Sequence, residues 1–148
     1  MITDSGCNTV SDWHLEDLIL HRSPMLMLTR VVEVGDKHLI AEVDISSEQL
    51  FCNPTGGVPA WVGIEYMAQA VAALSGTWCQ RDGELIRLGL LIGCRRYTSK
   101  VAVFETGSTL RVSVRQFVAL DDKLGAFKCE ILDDGIIASG QLTVYGGS

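Results

Sequence analysis

The segment from Pro59 to Gln80 constrains the fold more than any other part of the chain. Proline suits the first position of a helix, and no helix-breaking residue follows it apart from Gly63 and Gly76. Small or apolar side chains occupy nearly the whole circumference of this helix: Ile64, Met67, Ala68, Val71, Ala72, Leu74, Ser75 and Trp78. A helix of this kind is stable only when other parts of the protein pack against most of its surface. The sequence therefore predicts one long helix, over residues 60–80, at the centre of the molecule.

Shorter elements surround this helix in the sequence. Ser11 begins a capping pattern that predicts a short helix over 12–20, and a hairpin is predicted over 25–45 around a turn at 35–37. Four strands are predicted after the helix, over 86–97, 109–120, 126–132 and 137–145. Asp-rich turns between the last three indicate an antiparallel meander. The fold class is α+β, with an antiparallel sheet wrapped on a helix.

Composition and charge narrow the classes of function. A chain of 148 residues that is 47% hydrophobic fits one domain, which we place at residues 11–148 after a tail at 1–10. The net charge of −6 has the wrong sign for a nucleic-acid partner. The uncharged runs 49–64 and 66–80 are too short to span a bilayer, and the first residues do not resemble a secretory signal. We therefore expect a soluble cytoplasmic protein with no membrane partner.

The cysteines favour no metal or disulfide site. Five cysteines form an odd set without a C-x-x-C pair or a neighbouring histidine, which predicts reduced thiols and no bound metal. Cys52 stands beside a Gly/Pro-rich loop, so a thiolate nucleophile at this position is an alternative.

Glu65 is the residue most suggestive of chemistry. It is the only charged residue between Glu48 and Arg81, and it lies in the first turns of the apolar helix. Desolvation there would raise the pKa of its carboxyl group, which suits acid–base catalysis. Alternatively, Glu65 caps its own helix turn or pairs with Arg22 or Arg30. The residues alone leave both interpretations open.

Three segments resemble the 3-hydroxyacyl-acyl-carrier-protein dehydratases, and the likeness covers about residues 11–145. LEDLILHRSPMLMLTRV, at 15–31, resembles the family opening P-H-R-x-P-F-L-L-x-D-R-V. PAWVGIEYMAQ, at 59–69, is similar to P-G-x-L-x-[LI]-[ED]-[AS]-[ML]-x-Q, with the catalytic acid on Glu65. FETGSTL, at 104–110, echoes V-x-P-G-D-x-L only at Gly107 and Leu110. The stretch GGVPAWVGIEYMAQ is closest to the dehydratase-like group of aryl-polyene pigment pathways.

This resemblance implies a hotdog fold, in which a curved antiparallel sheet wraps a long central helix. Such proteins are commonly dimers with active sites at the subunit interface, so we expect a homodimer or a heteromer with another hotdog protein. The implied reaction is loss of water from a 3-hydroxyacyl chain on an acyl carrier protein. It requires no cofactor.

The resemblance fails at one catalytic position. The family removes the α-proton with the histidine of a G-H-F-P-G loop, whereas this loop reads FCNPTGG over 51–57. The family histidine would fall near Phe51 or Cys52, so no residue inherits its role. A non-catalytic subunit that pairs with a complete dehydratase is therefore one alternative function, and a hotdog thioesterase using Glu65 is another.

The resemblance and the chemistry together suggest roles for a set of residues. Glu65 would act as the acid or orient a water, and the Ala60 N–H, helped by Gly56 or Gly57, would bind the thioester oxygen. His21 is the best replacement base, although it matches the non-catalytic histidine of the P-H-R motif and could serve only to hold the N-terminal helix. Asn53 would position a water or simply form a turn. Glu65 acting alone is a third possibility.

Two further expectations concern substrate delivery. Carrier proteins are acidic, and Arg95, Arg96 and Lys100 form the densest basic cluster of the chain, so we expect carrier contact there. The alternative is a solvated strand end that limits edge pairing. Tyr97 and Phe104 would line an acyl tunnel or belong to the core.

Overall fold

The computed structural model describes residues 8–9, 13–53, 56–86, 89–120 and 124–146. The predicted central helix is confirmed: a 3₁₀ turn over Ala60–Val62 leads directly into helix α1, Gly63–Arg81. The described strands are β1 (Asn8–Thr9), β2 (Arg30–Val34), β3 (His38–Asp44), β4 (Gly57–Pro59), β5 (Gly89–Ser99), β6 (Val103–Glu105), β7 (Thr109–Ala119), β8 (Leu124–Leu132) and β9 (Ile136–Gly146).

Seven of these strands form one antiparallel sheet in the order β1-β2-β3-β7-β8-β9-β5. The predicted meander is confirmed as β7-β8-β9, and its second turn lies at Asp133–Gly135, where Asp134 and Gly135 have positive φ. The first predicted turn, at 121–123, lies outside the described residues. Strands β4 and β6, which were not predicted, pair beside the start of α1. The architecture is the α+β arrangement expected, with one long helix and an antiparallel sheet.

The core lies between α1 and the inner face of the sheet. Alternating residues of β3, β7 and β8 point toward the helix and are buried: Leu39, Ala41, Val43, Leu110, Val112, Val114, Phe127, Cys129 and Ile131. The helix contributes Tyr66, Met67, Ala70, Val71, Ala73 and Leu74. Period-2 burial along the strands and burial of most of the helix explain why the sequence pattern located the core.

Two elements near the N-terminus differ from prediction. Within the described residues the short helix predicted over 12–20 is only a 3₁₀ turn, Leu15–Asp17, yet Leu15, Leu18 and Ile19 are buried. Strand β2 begins at Arg30 rather than at residue 25. Met25 and Met27 instead make backbone hydrogen bonds to a side chain of α1, which holds the segment before β2 out of the sheet. Apolar spacing therefore indicated burial correctly without distinguishing the backbone conformation.

Strand β5 forms one edge of the large sheet. It pairs only with β9 in the described sheet, and the pairing shifts register between Leu91 and Gly93 and again between Arg95 and Thr98. Leu91 and Ile92 are exposed on this edge. An edge with unpaired backbone groups and exposed apolar side chains is suited to association with another chain.

Helix α1 packs closely on the N-terminal segment at Gly76. A Cβ atom built there would lie 2.8 Å from Leu18 Cα and closer still to the Leu18 carbonyl. We predict that Gly76→Ala lowers stability by about 1–3 kcal/mol despite the better helix propensity of alanine, because the backbone of Leu18 must move. Thermal unfolding measures this loss. Ser75→Ala, at a partly exposed neighbouring position, is the control and should unfold like the wild type; equal stability of both variants would contradict the close packing.

A network of charges lies across β2, β3 and β7. The Arg30 guanidinium donates to Asp44 and Glu42, and Arg111 also donates to Glu42. The hydrogen bond from Arg30 lowers the pKa of the Asp44 carboxyl group below 3.8, helped by Thr109. A lowered folded-state pKa stabilises the fold above the unfolded-state pKa, and this stabilisation disappears as the pH falls through the folded-state value.

We therefore predict that Asp44→Asn is less stable than the wild type at neutral pH and that the difference closes below pH 3.8. The difference should not exceed about 1 kcal/mol, since solvent screens these partly exposed groups. Chemical unfolding at a series of pH values tests this. A difference that stays constant down to acid pH would show that the carboxylate charge is not responsible.

Candidate active site

Glu65 lies in the first turn of α1 with its carboxylate oriented by two neighbours. Its Oε2 atom accepts a hydrogen bond from Gln69 Nε2 at 2.9 Å and lies 3.7 Å from His21 Nε2. The Glu65 side chain is 40% exposed. The sequence predicts that the apolar helix desolvates the Glu65 carboxylate. In the single chain this expectation is wrong, because the Glu65 side chain is partly exposed and does not enter the core.

Gln69, one helical turn after Glu65, is fully buried. Its Oε1 accepts the Met27 N–H at 2.8 Å, and its Nε2 donates to the Met25 carbonyl at 2.8 Å as well as to Glu65. This amide therefore joins the segment before β2 to the helix and sets the direction of the carboxylate. Sequence reasoning did not select Gln69 as a site residue, although a polar residue four positions after Glu65 in an apolar helix was a usable signal.

His21 is brought to Glu65 by the segment that follows the N-terminal 3₁₀ turn. Its side chain is partly exposed, and its Nδ1 atom is buried without a hydrogen-bond partner in the described residues. The Arg22 guanidinium fixes this segment by donating to the carbonyls of Glu16, Ile19 and His21. The two residues selected as catalytic candidates therefore meet in space, although 44 positions separate them in the sequence.

The alternative ion pairs for Glu65 are not formed. Arg22 donates to backbone carbonyls, and Arg30 pairs with Glu42 and Asp44 on the sheet. The hydrogen bond that the Glu65 carboxylate accepts comes from the Gln69 side chain and not from a backbone N–H at the start of α1. The carboxylate is thus free of the structural roles that the sequence left open.

The backbone donors at the helix start differ from expectation. The Ala60 N–H donates to the Ala102 carbonyl at 2.9 Å, so the prediction that it serves the thioester oxygen does not hold in this structure. The Gly56 N–H donates to the Asn53 carbonyl, the Asn53 N–H donates to the Gly57 carbonyl at 2.7 Å, and Gly57 is also part of β4. The Gly56 N–H is thus engaged within the loop, whereas the hydrogen bond between Gly57 and Asn53 involves the Gly57 carbonyl. The Trp61 N–H is a further candidate donor, because helix geometry leaves it without an acceptor one turn back.

Phe51 and Cys52 stand where the family histidine would fall. Phe51 has a left-handed backbone, with φ of 68°, and its ring meets that of Trp61 edge-on. The Cys52 thiol lies 3.7 Å from the Asn53 carbonyl and 3.8 Å from the Thr106 hydroxyl. No histidine lies in this loop, so the loop offers no general base of the usual kind.

Tyr97 holds the start of the helix. Its hydroxyl donates to the Ala60 carbonyl at 2.5 Å, and its ring packs so closely that a Cβ atom at Gly63 would collide with the hydroxyl. Burial raises the pKa of Tyr97 to about 12, so the hydroxyl stays protonated as a donor. Phe104 is buried and packs against Tyr66, whose pKa burial also raises. Phe104 therefore belongs to the core.

The predicted basic cluster lies at the far end of β5. Arg95, Arg96 and Lys100 are all exposed, and none forms an ion pair in the described part of the chain. Arg96 has φ of 58° within the register shift of the β5–β9 pairing. The three exposed cations thus lie in the last part of an edge strand and directly after it.

Membrane-spanning helices and metal-binding clusters are both absent from the described ranges. None of the helices there has the length and hydropathy needed to cross a bilayer. Across the same residues, no three His, Cys, Asp or Glu side chains are grouped in a way that could hold a metal ion.

Known structures share this fold. The dehydratase heterocomplex ApeI:P from Xenorhabdus doucetiae is similar, with 29% identity, 92% of each chain covered and a TM-score of 0.85. The E. coli PaaI protein from the phenylacetic acid degradation operon has 12% identity and a TM-score of 0.60, covering 80% of this chain and 78% of its own. A hypothetical thioesterase with coenzyme A from Streptococcus pneumoniae has 9% identity and a TM-score of 0.61, covering 80% and 84%. The last two likenesses show the hotdog fold alone.

Comparison of sequences assigns the family. No curated protein matches the chain. The model of the ApeP-like family, described as ApeP dehydratase, matches residues 13–148 and thus includes Glu65, His21 and the whole sheet after β1. The chain belongs to the ApeP-like dehydratase family.

Proposed function

We propose that this protein eliminates water from a 3-hydroxyacyl chain carried as a thioester on an acyl carrier protein, with Glu65 as the general acid. The observation that carries the proposal is the Glu65 carboxylate, aimed by the buried Gln69 amide and 3.7 Å from His21. Its partial exposure supports the proposal, because a substrate must reach an acid at the surface of the helix.

The elimination needs a base, an acid and a donor to the thioester oxygen. A base takes the proton from C2, the C2–C3 double bond forms as the C3–O bond breaks, and protonated Glu65 gives its proton to the departing oxygen, which leaves as water. C2 and C3 are adjacent, so a base next to Glu65 can serve the same substrate. His21 lies next to Glu65 and is the base in this scheme. We assign the Trp61 N–H, at the start of the helix, as the donor to the thioester oxygen.

A second hotdog subunit is the other source of a base. The usual loop histidine is absent from the loop at 51–57, and β5 presents an open edge in the described sheet with exposed Leu91 and Ile92. The dehydratase heterocomplex at 29% identity supports a heteromer of this type. In that arrangement this chain supplies Glu65, and the partner supplies the histidine and covers the carboxylate. A homodimer would leave His21 as the base.

The carrier protein would dock on Arg95, Arg96 and Lys100. The chain carries a net charge of −6, so an acidic partner requires a local cationic surface such as this one. We expect the reaction on such a substrate to take place in the cytoplasm.

Glu65→Gln should lower the rate of water loss by about 10²–10⁴-fold, because the amide cannot donate the proton but can keep the contact with Gln69. Mass-resolved detection of a medium-chain 3-hydroxyacyl carrier protein before and after reaction measures this. Ser75→Ala, farther along the same helix, is the control. Release of free acid by the wild type would identify a thioesterase instead, and undiminished dehydration by Glu65→Gln would remove Glu65 from the mechanism.

His21→Phe separates the two sources of the base in the same assay. If His21 is the base, the variant loses activity to the same extent as Glu65→Gln, whether or not a second hotdog protein is added. If the partner supplies the base, the wild type is inactive alone. Addition of the second hotdog protein then gives the wild type and His21→Phe equal activity.

Reversing the charges of the basic cluster tests carrier docking. The variant carrying both Arg95→Glu and Arg96→Glu should raise KM for the carrier-bound substrate several-fold at low salt, with kcat little changed, since attraction between unlike charges mainly affects encounter. A pantetheine-linked substrate should show no change. The control variant carries both Lys37→Glu and Arg115→Glu, which change the net charge by the same amount at exposed positions elsewhere. If KM rises as much in this control as in the cluster variant, the effect is one of net charge and not of carrier docking.

A further inference from the structure

Phe51 and Trp61 form an aromatic corner at the start of the helix. Their ring centroids are 5.3 Å apart at an interplanar angle of 63°. Trp61 is 61% exposed and Phe51 is 47% exposed. Exposing two large aromatic rings is unfavourable in water, and the left-handed backbone of Phe51 adds conformational strain for a residue with a Cβ atom. Unfavourable features of this kind concentrate at functional sites.

The corner lies beside the candidate acid. Trp61 precedes Glu65 by four residues, which is about one helical turn, or about 5.4 Å along the axis. In the proposed reaction the thioester oxygen is at the Trp61 N–H and the 3-hydroxyl group is at Glu65. C1, C2 and C3 of the substrate would therefore span this single turn, and the Trp61 side chain, one turn before Glu65 along the helix, would border them.

The reaction changes the shape of those three carbons. In the 3-hydroxyacyl thioester C2 and C3 are tetrahedral, whereas in the 2-enoyl thioester the carbonyl and the double bond form one flat conjugated unit. A flat π system packs on an aromatic face better than a tetrahedral chain does. An aromatic wall at this position therefore interacts more favourably as the substrate becomes planar, which is the direction in which the transition state lies.

We propose that Trp61, held edge-on by Phe51, is a specificity-determining contact for the planar C1–C3 unit of the acyl thioester. The inference rests on the proposed function, since it takes the position of the thioester from it. Trp61 supplies the face, and Phe51 limits how far the indole can turn.

Equilibrium binding of two stable ligands tests the contact without catalysis. The ligands are amide-linked trans-2-octenoyl-pantetheine and octanoyl-pantetheine, which have the same length and differ in planarity at C2 and C3. The wild type should prefer the enoyl ligand, and Trp61→Leu should reduce that preference by about fivefold, the size of an ordinary aromatic stacking gain. Trp61→Phe, which keeps a flat ring, is the matched control and should retain most of the preference. Phe51→Leu should lie between the two.

Several results would overturn the inference. Equal weakening of both ligands in Trp61→Leu would show an ordinary apolar contact. Loss of subunit association without a change in preference would assign the corner to a protein interface, and failure of the wild type to bind either ligand would also refute it. A wild type that prefers the enoyl ligand through Trp61 but does not dehydrate contradicts the proposed function and not this contact. An active wild type without the preference contradicts this contact alone.

Discussion

The buried amide of Gln69 connects the parts of the molecule on which the candidate site depends. It accepts the Met27 N–H and donates to the Met25 carbonyl, so it satisfies backbone groups that lie outside any sheet. A buried polar group of this kind is costly to leave unpaired, which makes the three hydrogen bonds interdependent. The same amide contacts Glu65. One side chain, Gln69, therefore joins the segment before β2 to α1 and orients the Glu65 carboxylate.

The partial exposure of Glu65 has a mechanistic consequence. A general acid that works near neutral pH benefits from removal of water around its carboxyl group. The helix alone does not remove it, because 40% of the Glu65 side chain remains in solvent. Within our proposal, the acyl chain and the second subunit at the β5 edge complete that environment. A site completed by a second subunit is consistent with a chain whose loop at 51–57 lacks the family histidine.

The sequence anticipated more of the fold than of the site. Helix α1 and the β7-β8-β9 meander follow from local periodicity, so their positions were predictable. The residues near Ala60 were harder, because the hydrogen bond from its N–H to Ala102 and the pairing of β4 with β6 depend on segments 40 or more residues apart in the chain. The segment before β2 was misassigned for a similar reason, because the backbone groups of Met25 and Met27 bond to the distant Gln69 side chain. Glu65 and His21 were selected as candidates separately, but their 3.7 Å approach was not predictable.

The sequence by itself determined the elements whose physics is local: an apolar helix that needed cover, alternating strands to cover it, and one carboxylate set in that helix. It also determined the family, through the residues around Glu65. Only the tertiary structure decided which groups are free to act. Backbone donors and cations have many possible partners along a chain, and folding assigns those partners through contacts between distant residues, so Ala60 and Arg30 were engaged elsewhere while Glu65, His21 and Trp61 were brought to the same end of the helix.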